Sequence, residues 1–127
     1  MLVSFPGGKR VEAQIGNLTV PTDQSPENGG TGTAPEPFML FLASIATCAG
    51  IYALEFCRSR QILTEGMSLS LSYEMDEKNQ TCNRLDIDLK LPAGFPREYR
   101  KVVTRVMNLC SVKKQILNPP EFVITTS

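Results

Sequence analysis

"PFMLFLASIATCAG", residues 37–50, opens the longest uncharged run in the chain, and how it is read decides the fold. The run extends from Pro37 to Leu54, 18 residues between Glu36 and Glu55. Pro37 suits a first helical turn, and Leu40, Phe41, Ser44, Cys48, Ile51, Tyr52 and Glu55 recur at three- and four-residue spacing, which predicts a helix. Ala43, Ser44, Ala46, Ala49, Gly50 and Ala53 allow other backbones to come close. Apolar character runs almost all the way round, so the helix must be buried on most faces. Its length reaches the lower limit for a membrane span. Pro37, Ser44, Thr47, Gly50 and Tyr52 interrupt the run, however, and the rest of the chain has soluble amphipathic patterning, so a core helix with no membrane partner is expected.

The flanks read as strands and loops. Short strands are expected in "MLVSF", "RVEAQI" (10–15) and "LTV" (18–20), separated by "PGGK" and Gly16-Asn17. A long loop, "PTDQSPENGGTGTAPEP" (21–37), leads into the helix; loops of that length in small domains are often functional. Beyond the helix, "MSLSLSYEM" (67–75) and "LDIDLKL" (85–91) alternate strictly and predict an antiparallel hairpin with one wet face. Tyr99, Val102, Val103, Val106, Met107 and Cys110 predict a second helix over 97–110. Ser111 is expected to cap a short turn, "VKKQILN", and "FVITT" (122–126) to form a last strand. The order β-β-β-α-β-β-α-β is α+β, in one domain spanning 1–127. One sheet covers only one side of the apolar helix. A second copy of the chain is the simplest cover for the other side.

Charge and cysteine content exclude several classes of function. Thirteen basic and thirteen acidic residues cancel, which gives no electrostatic case for nucleic acid or an anionic membrane. The absence of histidine removes Ser-His-Asp and Cys-His catalysis and His-ligated zinc. Cys48, Cys57, Cys82 and Cys110 are spaced by 9, 25 and 28 residues, with no C-x-x-C pair, so metal-knuckle and thioredoxin-type readings fail. "MLVSFPGGKR" has no secretory pattern, and free thiols in a reducing cytoplasm are expected.

Any one cysteine alone reads as a small buried hydrophobe. Cys48 and Cys57 point to opposite helix faces, and Cys82 reads as incidental. Cys110 lies where one helix ends and another starts, with Lys113 close behind, and both features favour a thiolate. Among charged residues, Glu55 shares a helix face with Cys48, and Glu36 suits the helix N-terminus. Arg10, Arg58, Arg60 and Lys113 are candidates to orient a thiolate, although each singly reads as a solvated surface charge.

With these residues in view, the chain resembles the OsmC/Ohr family. The likeness is carried by "PFMLFLASIATCAG", the later "LCSVKKQI", the roughly sixty residues between the two cysteines and the glycine-rich lead-in "TDQSPENGGTGTAPEPF". It implies an intertwined homodimer whose two long helices pack centrally between wrapped antiparallel sheets. It also implies a thiol peroxidase that responds to oxidative stress. In that role Cys48 attacks an organic hydroperoxide, Cys110 closes a disulfide on the resulting sulfenic acid, and an external dithiol reduces it, with no metal or organic cofactor. The family's hydroperoxide reductases carry a glutamate directly after the helix-leading proline, where this chain has Phe38. Their N-terminal arginine falls nearer Gly7 than Arg10. A thiol near its ordinary pKa is only a few per cent ionised at neutral pH, so a compensating cation is expected beside Cys48. The alternatives are a small-molecule or lipid-like ligand binder using an apolar pocket with Phe38, Phe41 and Tyr52, and a redox-sensing or sulfur-handling protein without turnover.

Overall fold

Glycine geometry shapes the first sheet in the structure, a computed structural model that describes residues 1–127. Strand β1 (Leu2–Gly7) pairs antiparallel with β2 (Arg10–Ile15), and β2 pairs with β3 (Leu18–Thr22). Gly16, at φ +58°, opens the two-residue loop between Ile15 and Leu18, a conformation that glycine adopts without steric cost. Much of the sheet's apolar surface is open; Phe5 is 80% exposed.

The loop that follows is fastened from within. Asp23, 1% exposed, accepts the Gln24 amide at 2.8 Å and both the amide and hydroxyl of Thr31 and of Thr33 at 2.6–3.2 Å. Glu36 Oε1 accepts the Ser25 amide at 2.9 Å and the Asn28 side-chain amide at 3.1 Å. Gly30 is obligatory because a Cβ there would lie 2.0 Å from the Gln24 carbonyl oxygen. These residues belong to one compact unit, Met1–Ala43, and the remainder, Ser44–Ser127, forms a second.

Helix α1 runs from Pro37 to Ser59. It ends in a Schellman arrangement: Gln61 takes φ +55°, Ile62 N–H reaches Cys57 O at 2.9 Å, and Gln61 N–H reaches Arg58 O at 3.1 Å. By length and composition α1 could cross a membrane, and 22% of its most apolar stretch is buried within the chain. In the second unit, β4 (Ser68–Asp76) pairs antiparallel with β5 (Thr81–Lys90). The register Leu69↔Leu89, Leu71↔Ile87 and Tyr73↔Leu85 sets both apolar rows on one face, as the alternation predicts. Strand β5 starts four residues earlier than the apolar pattern suggests, placing Cys82 opposite Met75.

Helix α2 covers Arg100–Met107 after a single 3-10 turn at Arg97–Tyr99, and α3 covers Ser111–Leu117. The second unit's core joins Ala49, Ala53, Phe56 and Cys57 of α1 to Phe95, Val103 and Met107, flanked by Leu69 and Leu89 of the hairpin. Burying about 25 cal/mol for each Å² of apolar surface makes this cluster the main source of that unit's stability. Three sequence expectations are corrected. The helix expected over 97–110 is α-helical only from Arg100 to Met107, which leaves Cys110 outside it. Residues 122–126 form no strand: Phe122, Val123 and Ile124 are exposed and lack a partner strand to complete a ladder, and Pro119 and Pro120 donate no amide hydrogens. The cap of α3 is Cys110, whose sulfur accepts the Lys113 amide at 3.4 Å, while Ser111 is the first helical residue.

Candidate functional site

Two cysteines far apart in sequence meet where α3 begins. Cys48 lies midway along α1 among small residues and is half-buried, whereas Cys110 is 1% exposed. Capping by Cys110 turns the first amides of α3, those of Ser111 and Val112, toward the Cys48 sulfur. The Ser111 hydroxyl lies 3.6 Å from Cys48 Sγ, and the Cys110 thiol is close enough to shift the acidity of Cys48. All four cysteines are free.

This arrangement drives the two thiols apart in acidity. Burial pushes the Cys48 thiol up, but the Cys110 thiol, the Val112 amide, and the hydroxyl and amide of Ser111 together hold it below the ordinary cysteine value. Cys110 moves the other way. Burial raises it, the hydrogen bond and charge of Cys48 raise it further, and the Lys113 and Val112 amides offset only part of this. The pair therefore gives up its first proton more readily from Cys48 than from Cys110. Where the sequence argument asks for a cation, the structure supplies four hydrogen-bond donors from residues 110–112.

The charged candidates have partners of their own. Arg10 holds Glu12 at 2.7 Å, Arg58 and Glu55 meet at 3.5 Å on the surface, and the Arg60 guanidinium stacks 4.0 Å over the Phe56 ring and 5.5 Å from that of Tyr99. Glu36 ties the loop described above, and the hydrogen bonds it accepts lower its pKa, led by that from the Ser25 amide. The Lys113 ammonium donates to Asn108 Oδ1. Phe38 and Phe41 stack on each other with ring centroids 5.8 Å apart, and Tyr52 is half-buried on α1. Of the other cysteines, Cys57 is fully buried 4.0 Å from Met67 Sδ, and burial raises its pKa. Cys82 is half-buried, with its sulfur 3.3 Å from the Arg84 carbonyl oxygen. No three His, Cys, Asp or Glu side chains cluster as metal ligands.

Sequence reasoning missed the donors, Ser111 and the Val112 amide, because it gave Ser111 the capping role that Cys110 performs. It also missed a cavity of about 230 Å³ beside Cys110. Ile45 and Ala49 of α1, Leu85 and Ile87 of β5 and Met107 of α2 wall it, and Thr104, Asn108 and Lys113 form its polar side.

Comparison with known proteins agrees with this architecture. The model of a family described as OsmC-like protein matches residues 30–125. A Psychrobacter arcticus 273-4 structure described as an osmotic stress induced and detoxification response protein superposes with a TM-score of 0.77 at 21% identity, covering 90% of this chain and 85% of that one. An organic hydroperoxide resistance protein from Legionella pneumophila gives 0.60 at 22% identity, covering 91% and 87%. A Vibrio cholerae structure, described as an organic hydroperoxide resistance protein with captopril in one of its active sites, gives 0.58 at 19% identity, covering 92% and 83%. No curated protein matches significantly.

Proposed function

The chain belongs to the OsmC-like protein family, and from that premise we propose that it reduces organic hydroperoxides with the thiols of Cys48 and Cys110. The observation that carries this reading is the placement of two thiols together at the start of α3, with the acidity of Cys48 raised and that of Cys110 lowered. The Cys48 thiolate attacks the terminal oxygen of R–O–OH, the O–O bond breaks, and Cys48 becomes a sulfenic acid. The departing alkoxide takes a proton, from Cys110 or from water, and leaves as the alcohol. Oxidation then removes the Cys48 negative charge, one of the influences that holds the Cys110 proton in place. Cys110 ionises more easily, attacks the sulfenic sulfur and expels hydroxide, which takes a proton from solvent to become water, leaving a Cys48–Cys110 disulfide. An external dithiol returns both cysteines to thiols and is itself oxidised.

Two structural relatives described as organic hydroperoxide resistance proteins favour an organic oxidant. The apolar side chains left open on α1, Phe38, Met39, Phe41 and Ile51, favour a homodimer in which a second copy covers them. Free-thiol chemistry of this kind belongs in the reducing cytoplasm. The test is peroxide consumption with cumene hydroperoxide and excess dithiothreitol. Cys48→Ser should abolish turnover, whereas turnover equal to that of the unaltered protein would remove Cys48 from the chemistry.

A further inference from the structure

The cavity reaches the Cys110 side of the thiol pair, and nothing in the peroxide chemistry explains its composition. Its walls are hydrocarbon, from Ile45, Leu85, Ile87 and Met107, yet its rim carries a lysine. That lysine is held in place. Asn108 donates its side-chain amide to the Thr104 carbonyl oxygen at 3.1 Å, which turns its own carbonyl oxygen toward the Lys113 ammonium. The partner that fixes Lys113 is therefore neutral. No acidic residue lines the cavity, and strand alternation sends Asp86 and Asp88 to the opposite face of β5 from Leu85 and Ile87. A lysine ammonium has three donor hydrogens, so two remain for a ligand.

We infer that this cavity is a binding site for a small apolar carboxylate, with its hydrocarbon tail between β5 and α2 and its carboxylate on Lys113. Size fits charge in this choice. An apolar cavity of about 150 Å³ accepts the six carbons of benzene, so about 230 Å³ accepts roughly nine heavy atoms, enough for the seven-carbon tail of an eight-carbon acid and part of its head at the rim. The ligand abuts Cys110 and needs neither thiol to react, so the site stands or falls independently of the peroxide chemistry.

Octanoate and octanamide, matched in length and differing in charge, are the probes, titrated calorimetrically into the reduced full-length protein. Lys113 is exposed, so its preference is modest: octanoate should bind about fivefold more tightly than octanamide in low salt, with the gap closing near ~1 M salt. Lys113→Met should abolish the gap and leave octanamide binding as it was, and Lys113→Arg should keep it. Octanoate should also slow alkylation of Cys110, read by peptide mass. Equal affinity of the two probes, a gap that survives Lys113→Met, or no binding of either at millimolar concentration would each overturn the assignment.

Discussion

Removing one oxygen atom tests the way Cys48 is activated. In Ser111→Ala the hydroxyl 3.6 Å from Cys48 Sγ is lost, while the Ser111 amide, the α3 cap and the helix propensity of the position are all retained. A hydrogen bond to an ionised group is worth about 1.5–3 kcal/mol net. At this length, and to sulfur, roughly half the mid-range value, about 1 kcal/mol, is a reasonable share. That amount reduces the thiolate population about fivefold at any pH below the Cys48 midpoint. The remaining thiolate is more basic and so more nucleophilic, with a sensitivity near 0.4–0.5, which restores about twofold. The net prediction is a two- to threefold slower reaction at low pH and a plateau at high pH about twice that of the unaltered protein. The assay is iodoacetamide alkylation of Cys48 followed by peptide mass from pH 5 to 10, with Cys82 as the internal reference. Superimposable profiles for Ser111→Ala and the unaltered chain would refute the role given to the hydroxyl. A uniform drop across all pH values would indicate altered access instead of altered acidity.

Other consequences can be measured as directly. Cys110→Ser should retain the α3 cap and the fold, yet leave Cys48 as an unresolved sulfenic acid after peroxide, trapped by dimedone; Cys110→Ala should in addition lose about 1 kcal/mol in urea denaturation through the missing cap. Gly30→Ala must push the Gln24 carbonyl aside, so a fall in melting temperature is expected, with loss of amide protection at Thr31 and Thr33 in hydrogen exchange. The hydrogen bonds on Asp23, led by that from the Thr31 hydroxyl, hold its carboxyl far below the usual carboxylate range. Its contribution to stability is therefore complete above the unfolded-state pKa near ~3.9 and is lost as pH falls toward the lower folded value. Asp23→Asn should lower stability at pH 7 and flatten its dependence between about pH 5 and 2 in acid-induced unfolding.

Elements whose signal is local were legible in the sequence. The uncharged run from Pro37 gave α1 its start, and strict alternation gave the β4–β5 register, because side-chain period and apolar face are properties of adjacent residues. The helix expected over 97–110 stops at Met107 and leaves Cys110 as a cap, since nothing in the apolar spacing marks where hydrogen bonding changes partner. "FVITT" has the composition of a strand, but a strand exists only with a neighbour, and sequence pattern does not say where that neighbour lies. At the site, residue type singled out Cys48 and Cys110 as candidates. Their tuning was hidden because, apart from the Cys110 thiol itself, it comes from backbone amides and a hydroxyl, groups that carry no charge to be read along the chain. The cavity was hidden as well, since its walls come from three separate elements and its polar side depends on the orientation of Asn108.

The central claim is that Cys48 and Cys110 act as a pair. One equivalent of cumene hydroperoxide added to the reduced protein, followed by thiol titration and intact mass, addresses it most directly. Rapid loss of two thiols and about two mass units, with the bridge mapped to Cys48 and Cys110, is the predicted result. Slow addition of oxygen spread over all four cysteines, with no Cys48–Cys110 bridge, would contradict it.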